Sequence, residues 1–326
     1  MKSKLIALAL FLSTAAFAQQ KLDVQAHRGG MAILPENSIS AMLNAVKLGA
    51  KTLELDVVIS ADGQVVVSHD TYMSAAFMTK PDGSEIVKED EKNHNIYRMA
   101  YDSVKRYSMG IKTHPMFPDQ QKLKTHKPLL SDLIDSVEAY VKLNNLKPVY
   151  YNIETKCAPQ GDDKFHPKPA IFVQTLMQVI NQKNIKSRLI IQSFDVRTLQ
   201  ILHQTEPSVK LALLVQGKMN LTADQLKKYG LTAQEVEAYF KQVNAKKGGL
   251  DEDLANLGFT PAIYSPYYSG VDAAMVNKVH EKNMLILPWT VDKKEDMINL
   301  SNLGVDGIIT NKPDLLIELV GSYQSR

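Results

Sequence analysis

Short apolar runs alternate with helical patterns along almost the whole chain, and two of the runs are separated only by Ala61-Asp62-Gly63-Gln64. The runs that read as strands are Leu22–His27, Thr52–Ile59, Val65–His69, Val149–Glu154, Leu189–Gln192, Val209–Val215, Ala262–Tyr264, Met284–Trp289 and Gly307–Ile309. Helical periodicity falls between them at Ser38–Leu48, Leu129–Leu143, Pro169–Gln182, Val196–His203, Asp272–Lys282 and Lys293–Leu303, with a polar helical stretch within Thr222–Ala245. That is one strand more than a closed parallel barrel of eight holds. The short gap accounts for the extra one. A parallel crossover needs a dozen or more residues, so Thr52–Ile59 and Val65–His69 must pair antiparallel. The expected fold is α/β: a (β/α)8 TIM barrel with an inserted segment after the third strand.

The chain is 326 residues long, 44% hydrophobic and 22% charged, which gives it apolar side chains enough for one large core. Its formal charge is +3 with no long run of one sign, so capture of a nucleic-acid backbone is not expected. Residues 1–18 read as a signal peptide: Lys2 and Lys4, an apolar run from Leu5, then Ala16-Phe17-Ala18 as the cleavage signal. Export to the periplasm or the medium follows, with no stable membrane insertion after cleavage. Residues 19–326 then form a single domain, with an insertion at about 71–128 and a long loop at about 216–261. Both stretches exceed ordinary loop length and are expected over the barrel mouth. Cys157 is the only cysteine, so no internal disulfide is possible. Oligomeric state leaves no mark in the sequence.

Carboxylates on otherwise apolar strands are the chemical anomaly. Glu54 and Asp56 stand two apart and project to the same side, and Glu154 ends another strand. Buried carboxylates need a counter-charge. Internal ion pairs with Arg28 and Lys156 are one solution; a hard divalent cation, Ca²⁺ or Mg²⁺, is the other. Ala26-His27-Arg28-Gly29-Gly30 ends the first strand and Ser68-His69-Asp70 the third. Two histidines flanking a cation suit a phosphodiester, where one group takes a proton and the other gives one. Arg28 can grip a phosphoryl oxygen pair. If Asp62-Gly63 is a two-residue turn, His69 falls opposite Asp56 and shares its face. The remaining histidines read as solvated or structural, His114 being the one to check. Asn37 is a candidate N-cap for the first helix.

In order along the chain stand Ala26-His27-Arg28-Gly29, Pro35-Glu36-Asn37-Ser38, Glu54-Leu55-Asp56-Val57, Ser68-His69-Asp70, Ile153-Glu154-Thr155-Lys156, Gln192-Ser193-Phe194-Asp195, Trp289-Thr290-Val291-Asp292 and Asp306-Gly307-Ile308-Ile309-Thr310. With these the sequence resembles the glycerophosphodiester phosphodiesterases, members of the phosphatidylinositol-phospholipase-C-like barrel group. The resemblance implies His27 and His69 as the acid–base pair and Glu54, Asp56 and Glu154 as metal ligands. It implies Arg28 and Lys156 on the phosphate and Glu36 and Trp289 in the substrate wall. The implied reaction is metal-dependent hydrolysis of a small-molecule glycerophosphodiester to sn-glycerol 3-phosphate and an alcohol. Two departures stand out: Thr71-Tyr72-Met73-Ser74-Ala75-Ala76 stands where the family often carries a Leu-x-Arg-Thr-Thr-like stretch, and Asp292 stands where Asn is commoner. A phospholipase-D-like or phosphatidylinositol-cleaving enzyme is the alternative, favoured if Phe77, Met78, Met116 and Phe117 form a membrane-facing patch. A non-catalytic phosphodiester-binding protein is the other.

Overall fold

The computed structural model describes residues 22–216 and 249–325, with 232–234 and 236–237 between them. The leader expected at 1–18 lies outside the described residues, as does nearly all of the helical stretch within Thr222–Ala245. No helix among the described residues is long and apolar enough to cross a membrane.

In the first half of the chain the strands are β1 (Asp23–Ala26), β2 (Thr52–Ile59), β3 (Val65–Val67), β4 (Met78–Thr79) and β5 (Ser108–Met109). In the second half they are β6 (Tyr150–Thr155), β7 (Leu189–Ser193), β8 (Lys210–Val215), β9 (Ile263–Pro266), β10 (Leu285–Ile286) and β11 (Gly307–Thr310). Eight of them run parallel in the order β10-β9-β8-β7-β6-β2-β1-β11. Pro288 has no N–H to give and β10 is short, so no regular ladder joins β10 to β11. Single bonds close the ring there instead, from Asp306 N to Ile286 O (3.1 Å) and from Ile309 N to Pro288 O (3.0 Å). The expected (β/α)8 barrel is the observed one.

The main core lies between the barrel and its helices. Leu53, Leu55 and Val57 of β2, with Tyr151 and Ile153 of β6, face outward. They meet Met42 and Ala45 of α1 (Ile39–Leu48) and Leu133, Ile134 and Val137 of a helix spanning Leu130–Leu143. Each large apolar side chain buried there contributes about 1.5–3 kcal/mol relative to exposure. A smaller apolar cluster, Ile190, Ala212, Ile263 and Leu287, fills the barrel interior on the β7–β10 side. The interior on the β1, β2, β6 and β7 side is polar: Asn152 donates to Gln25 (2.8 Å) and Gln192 (2.9 Å), and Gln192 donates to Glu54 (2.7 Å). This asymmetry sets the side of the mouth on which charge collects.

Two sequence expectations need correction. The hairpin pairs Val57 with Val67 and Ile59 with Val65, and Ser60 N donates to Gln64 O (3.0 Å). Three residues, Ala61-Asp62-Gly63, therefore form the loop, and of Asp62 and Gly63 only Gly63 (φ +73°) has a positive φ. A two-residue type I′ turn needs positive φ at both centres. Asp62 accepts from Ser60 Oγ (2.6 Å) and Tyr101 N (3.1 Å) instead, bonds that the wider loop accommodates. Asp56 thus faces Ser68, whose N donates to its carbonyl (2.9 Å), and not His69. The cap of α1 is Ser38, whose Oγ accepts from Ala41 N (3.1 Å); Asn37 is used elsewhere.

The segment after β3 has a small core of its own. Met73, Met78, Ile96, Val104 and Met109 pack on Val58 and Val66, on the hairpin face opposite to Val57 and Val67, and β4 pairs antiparallel with β5. Met78 is fully buried there and Phe77 packs against the cluster, so the four residues proposed as a membrane-facing patch do not form one. The short helices Leu250–Leu257 and Pro313–Val320 were not anticipated.

Candidate active site

β1 delivers His27 at the C-terminal mouth of the barrel and then turns sharply, with Arg28 and Gly29 both at positive φ (51° and 82°). A Cβ on Gly29 would lie 2.8 Å from that of Ala41, so only glycine lets this turn pack on α1. The turn aims the backbone N–H of Arg28 at Glu54 Oε2 (2.9 Å). The Arg28 guanidinium donates to Glu36 (3.0 Å) and lies 3.4 Å from Asp56.

Glu54 and Asp56 leave β2 on its inward face, and Glu154 joins them from β6, whose residues sit directly alongside. Carboxylate oxygens of the three lie within 4.8 Å of one another, all buried. Asn37, at φ 54°, clamps Asp56 from outside: its amide donates to Oδ2 (2.8 Å) and accepts from Asp56 N (3.2 Å). Lys156 Nζ is 2.7 Å from Glu154 and 3.6 Å from Asp56. Asp56 Oδ1 is buried with no hydrogen-bond partner. Burial and the Asp56 charge push the Glu54 carboxyl well above its usual range, and burial likewise raises Glu154. Burial opposes the charge on Asp56 too, yet Lys156 and Arg28 overcome it and hold that carboxyl low. Both internal ion pairs and an oxygen cluster are therefore present. The cations do not use up the oxygens, and a set of hard donors with one orphaned atom fits a divalent cation.

His27 Nδ1 is 2.5 Å from Asn311 Oδ1. Asn311 in turn donates through Nδ2 to Asp292 (2.7 Å), which also accepts its backbone N–H (2.9 Å). An ionised carboxylate only accepts, so the amide nitrogen must face Asp292 and the amide oxygen must face His27. His27 therefore carries its proton on Nδ1 and offers the Nε2 lone pair. Burial, then Arg28, lowers this imidazole to about 3, so it stays neutral. His69 Nδ1 is held by Asp70 (2.9 Å). Burial works against the charge on Asp70, and the bond to His69 outweighs it, keeping the carboxyl below its usual range.

A cavity of about 550 Å³ unites these groups, lined by His27, Arg28, Glu36, Glu54, His69, Glu154, Lys156 and Trp289. The structure thus brings together the residues named from the sequence as acid–base pair, metal ligands, phosphate contacts and substrate wall, with Asp56 just beneath the cavity surface. Trp289 forms an aromatic wall, edge-on to Phe194 (5.3 Å) and Tyr267 (5.4 Å). The inserted segment contributes Phe77, His114 and Met116 to the lining. Asn37, Asn311, Gln192 and Lys127 escaped sequence reasoning as supports. Lys127 is a buried cation whose Nζ donates to Ser68 Oγ (2.7 Å), which donates to Asp70 O (2.5 Å), fixing the bend that carries His69. The one available signal was the polar residue in Asp292, whose function is legible only beside Asn311. A second group, Cys157, Asp162 and His166, is closed on itself: Arg197 takes Asp162, and Ala158 and Pro167 occupy the His166 ring.

A parallel barrel with acidic, basic and imidazole groups gathered at its C-terminal mouth defines the class, a barrel hydrolase. More particularly, the chain belongs to the glycerophosphoryl diester phosphodiesterase family, whose model matches residues 27–315. It is 28% identical over 304 residues to a glycerophosphodiester phosphodiesterase of Caldanaerobacter subterraneus subsp. tengcongensis, covering 92% of this chain and 98% of that one. A solved structure from Silicibacter pomeroyi named for the same family superposes with a TM-score of 0.74 at 24% identity, over 93% and 96% of the two chains. An Oleispira antarctica phosphodiesterase, solved with the product sn-glycerol-3-phosphate, gives 0.65 at 19% identity, over 93% and 98%.

Proposed function

We propose that the protein hydrolyses glycerophosphodiesters to sn-glycerol 3-phosphate and an alcohol, in a reaction dependent on a divalent cation, Ca²⁺ or Mg²⁺. The observation that carries this reading is the meeting of Glu54, Asp56 and Glu154 within 4.8 Å, in a cavity also lined by His27 and His69. These three carboxylates would hold the cation, which supplies Lewis-acid stabilisation of phosphoryl charge. Arg28 and Lys156, on either side of the carboxylates, would hold the remaining phosphoryl oxygens.

His27 is neutral with its Nε2 lone pair free, which suits it to accept the proton of the attacking oxygen, water or the neighbouring glycerol hydroxyl. His69, oriented at Nδ1 by Asp70 (2.9 Å), is assigned to give a proton to the alkoxide as the P–O bond breaks. If water attacks, its proton passes to His27, the P–O bond to the alcohol breaks and His69 protonates the leaving oxygen, and proton exchange with solvent then resets both rings. If the glycerol hydroxyl attacks, the same two transfers release the alcohol and leave a cyclic phosphate, which a water opens with His69 as base and His27 as acid, so both rings are reset and one water is consumed. The same reading takes residues 1–18 as an export signal and places the enzyme in the periplasm or the medium. The lipid-headgroup alternative loses its support because Met78 is buried in the insertion.

The test is a product assay over a panel of glycerophosphodiesters with Mg²⁺ and Ca²⁺ in turn. Release of sn-glycerol 3-phosphate, abolished by chelation, is expected. Exclusive turnover of diacyl lipid vesicles, or wild-type rates in His27→Ala, would overturn the reading.

A further inference from the structure

The inserted segment does more than cover the barrel. Its second half is bolted to the loop after β1: Gln121 N donates to Ile33 O (2.9 Å), and the Gln120 amide donates to Met31 O (2.6 Å) and Leu34 O (3.2 Å). This sets His114 and Glu36 into the same cavity wall. The His114 ring lies between Phe77 (centroids 5.4 Å apart, 29° between planes) and Phe117 (5.5 Å, 31°), and only 6% of the residue is exposed. Its Nδ1 accepts the backbone N–H of Met116 (3.2 Å), so the ring proton is on Nε2. Burial holds the ring below its usual range, against the charge of Glu36, so it is a neutral donor. No protein group among the described residues receives that Nε2–H. Glu36, its Oε2 bound by Arg28, keeps Oε1 buried without a partner.

An apolar wall that holds one unpaired N–H and one unpaired carboxylate oxygen is complementary to a hydroxyl, which accepts from the first and donates to the second. A quaternary ammonium would leave the N–H unsatisfied, and a carboxylate would be repelled by Glu36. We propose that Glu36 and His114 form a hydroxyl-recognising subsite for the departing alcohol, making a polyhydroxylic alcohol of glycerol type the preferred leaving group. The placement rests on the phosphodiesterase reading above. His69, assigned to protonate the leaving oxygen, lines the same cavity as Phe77 and His114, and on that ground the subsite is assigned to the alcohol.

The experiment compares kcat/KM of the cation-saturated full-length enzyme for glycerophosphoglycerol and for glycerophospho-n-propanol, which differ in the alcohol's hydroxyls. Wild type should favour the former by about 10-fold or more, because a site built to bond a hydroxyl discriminates against its absence. His114→Asn keeps an acceptor near the Nδ1 position and removes the Nε2–H; it should bring the ratio close to one. His114→Gln, which restores a donor near the Nε2 position, should recover much of the preference. A ratio near one in wild type, or one unmoved in His114→Asn, overturns the subsite and leaves the phosphodiesterase reading intact. Wild-type enzyme that cleaves neither diester with Mg²⁺ or Ca²⁺ overturns that reading, and the subsite with it.

Discussion

The chain Asp292–Asn311–His27 makes the tautomer of the proposed base testable. Replacing Asn311 with Leu keeps the volume and removes both side-chain bonds, the 2.5 Å contact to His27 and the 2.7 Å bond to Asp292. A neutral bond contributes about 0.5–1.5 kcal/mol and a charge-assisted one about 1.5–3 kcal/mol, so the variant should lose roughly 2–4 kcal/mol of stability. The bond from Asn311 N to Asp292 (2.9 Å) survives and should preserve the local fold. The larger effect is kinetic. Removing a general base outright costs about 10²–10⁴ in rate. A base that keeps its ring and loses its orientation should cost about 10- to 100-fold in kcat, or about 1.4–2.7 kcal/mol of barrier, with KM little changed. Asp292→Asn, which can still accept through its own amide oxygen, should cost less than about 10-fold. Steady-state kinetics on a glycerophosphodiester at saturating cation, with denaturation midpoints as the folding control, provide the assay. Nitrogen-resolved NMR of the imidazoles should find His27 protonated at Nδ1. A His27 proton on Nε2, or Asn311→Leu with wild-type kcat, would refute the reasoning.

Cation binding should tighten as pH rises. Glu54 and Glu154 have raised pKa values in the folded protein, so without a cation they favour folding at low pH, and that contribution is lost as pH climbs through their folded values. A bound cation needs them ionised, so calorimetry near neutral pH should detect proton release on Ca²⁺ or Mg²⁺ addition; no uptake or release in any buffer would contradict the assignment. Glu154→Gln should weaken that binding by at least about 10-fold while leaving the circular dichroism spectrum unchanged. The Cys157 thiol is pushed up to about 12 by burial and by nearby Asp195, so it should resist alkylation at pH 8 until the protein unfolds. Rapid labelling of the native protein would contradict this. Ser38→Ala removes the α1 cap and should cost about 1 kcal/mol in denaturant unfolding.

The alternation of apolar runs and helical patterns was enough, with one short gap, to require a parallel barrel carrying an antiparallel hairpin. Alternation along β2 and β6 likewise put Glu54, Asp56 and Glu154 on the inside, because side-chain direction in a strand is a local property. Local signals failed where the backbone left regular geometry. The Asp-Gly pair suggested a two-residue turn, and the inserted segment, bonding Asp62 through Tyr101 N, supports a loop of three. Asn37 read as a cap because its positive φ and its grip on Asp56 depend on β2 lying beneath it. The partners that orient the two histidines illustrate the same divide. Asp70 is the immediate neighbour of His69 in the chain, whereas Asn311 is 284 residues from His27 and reaches it only because β11 closes the barrel beside β1. The chemistry-bearing residues were thus written in the order of the chain, whereas their protonation, pairing and access to one cavity were decided by contacts between distant segments.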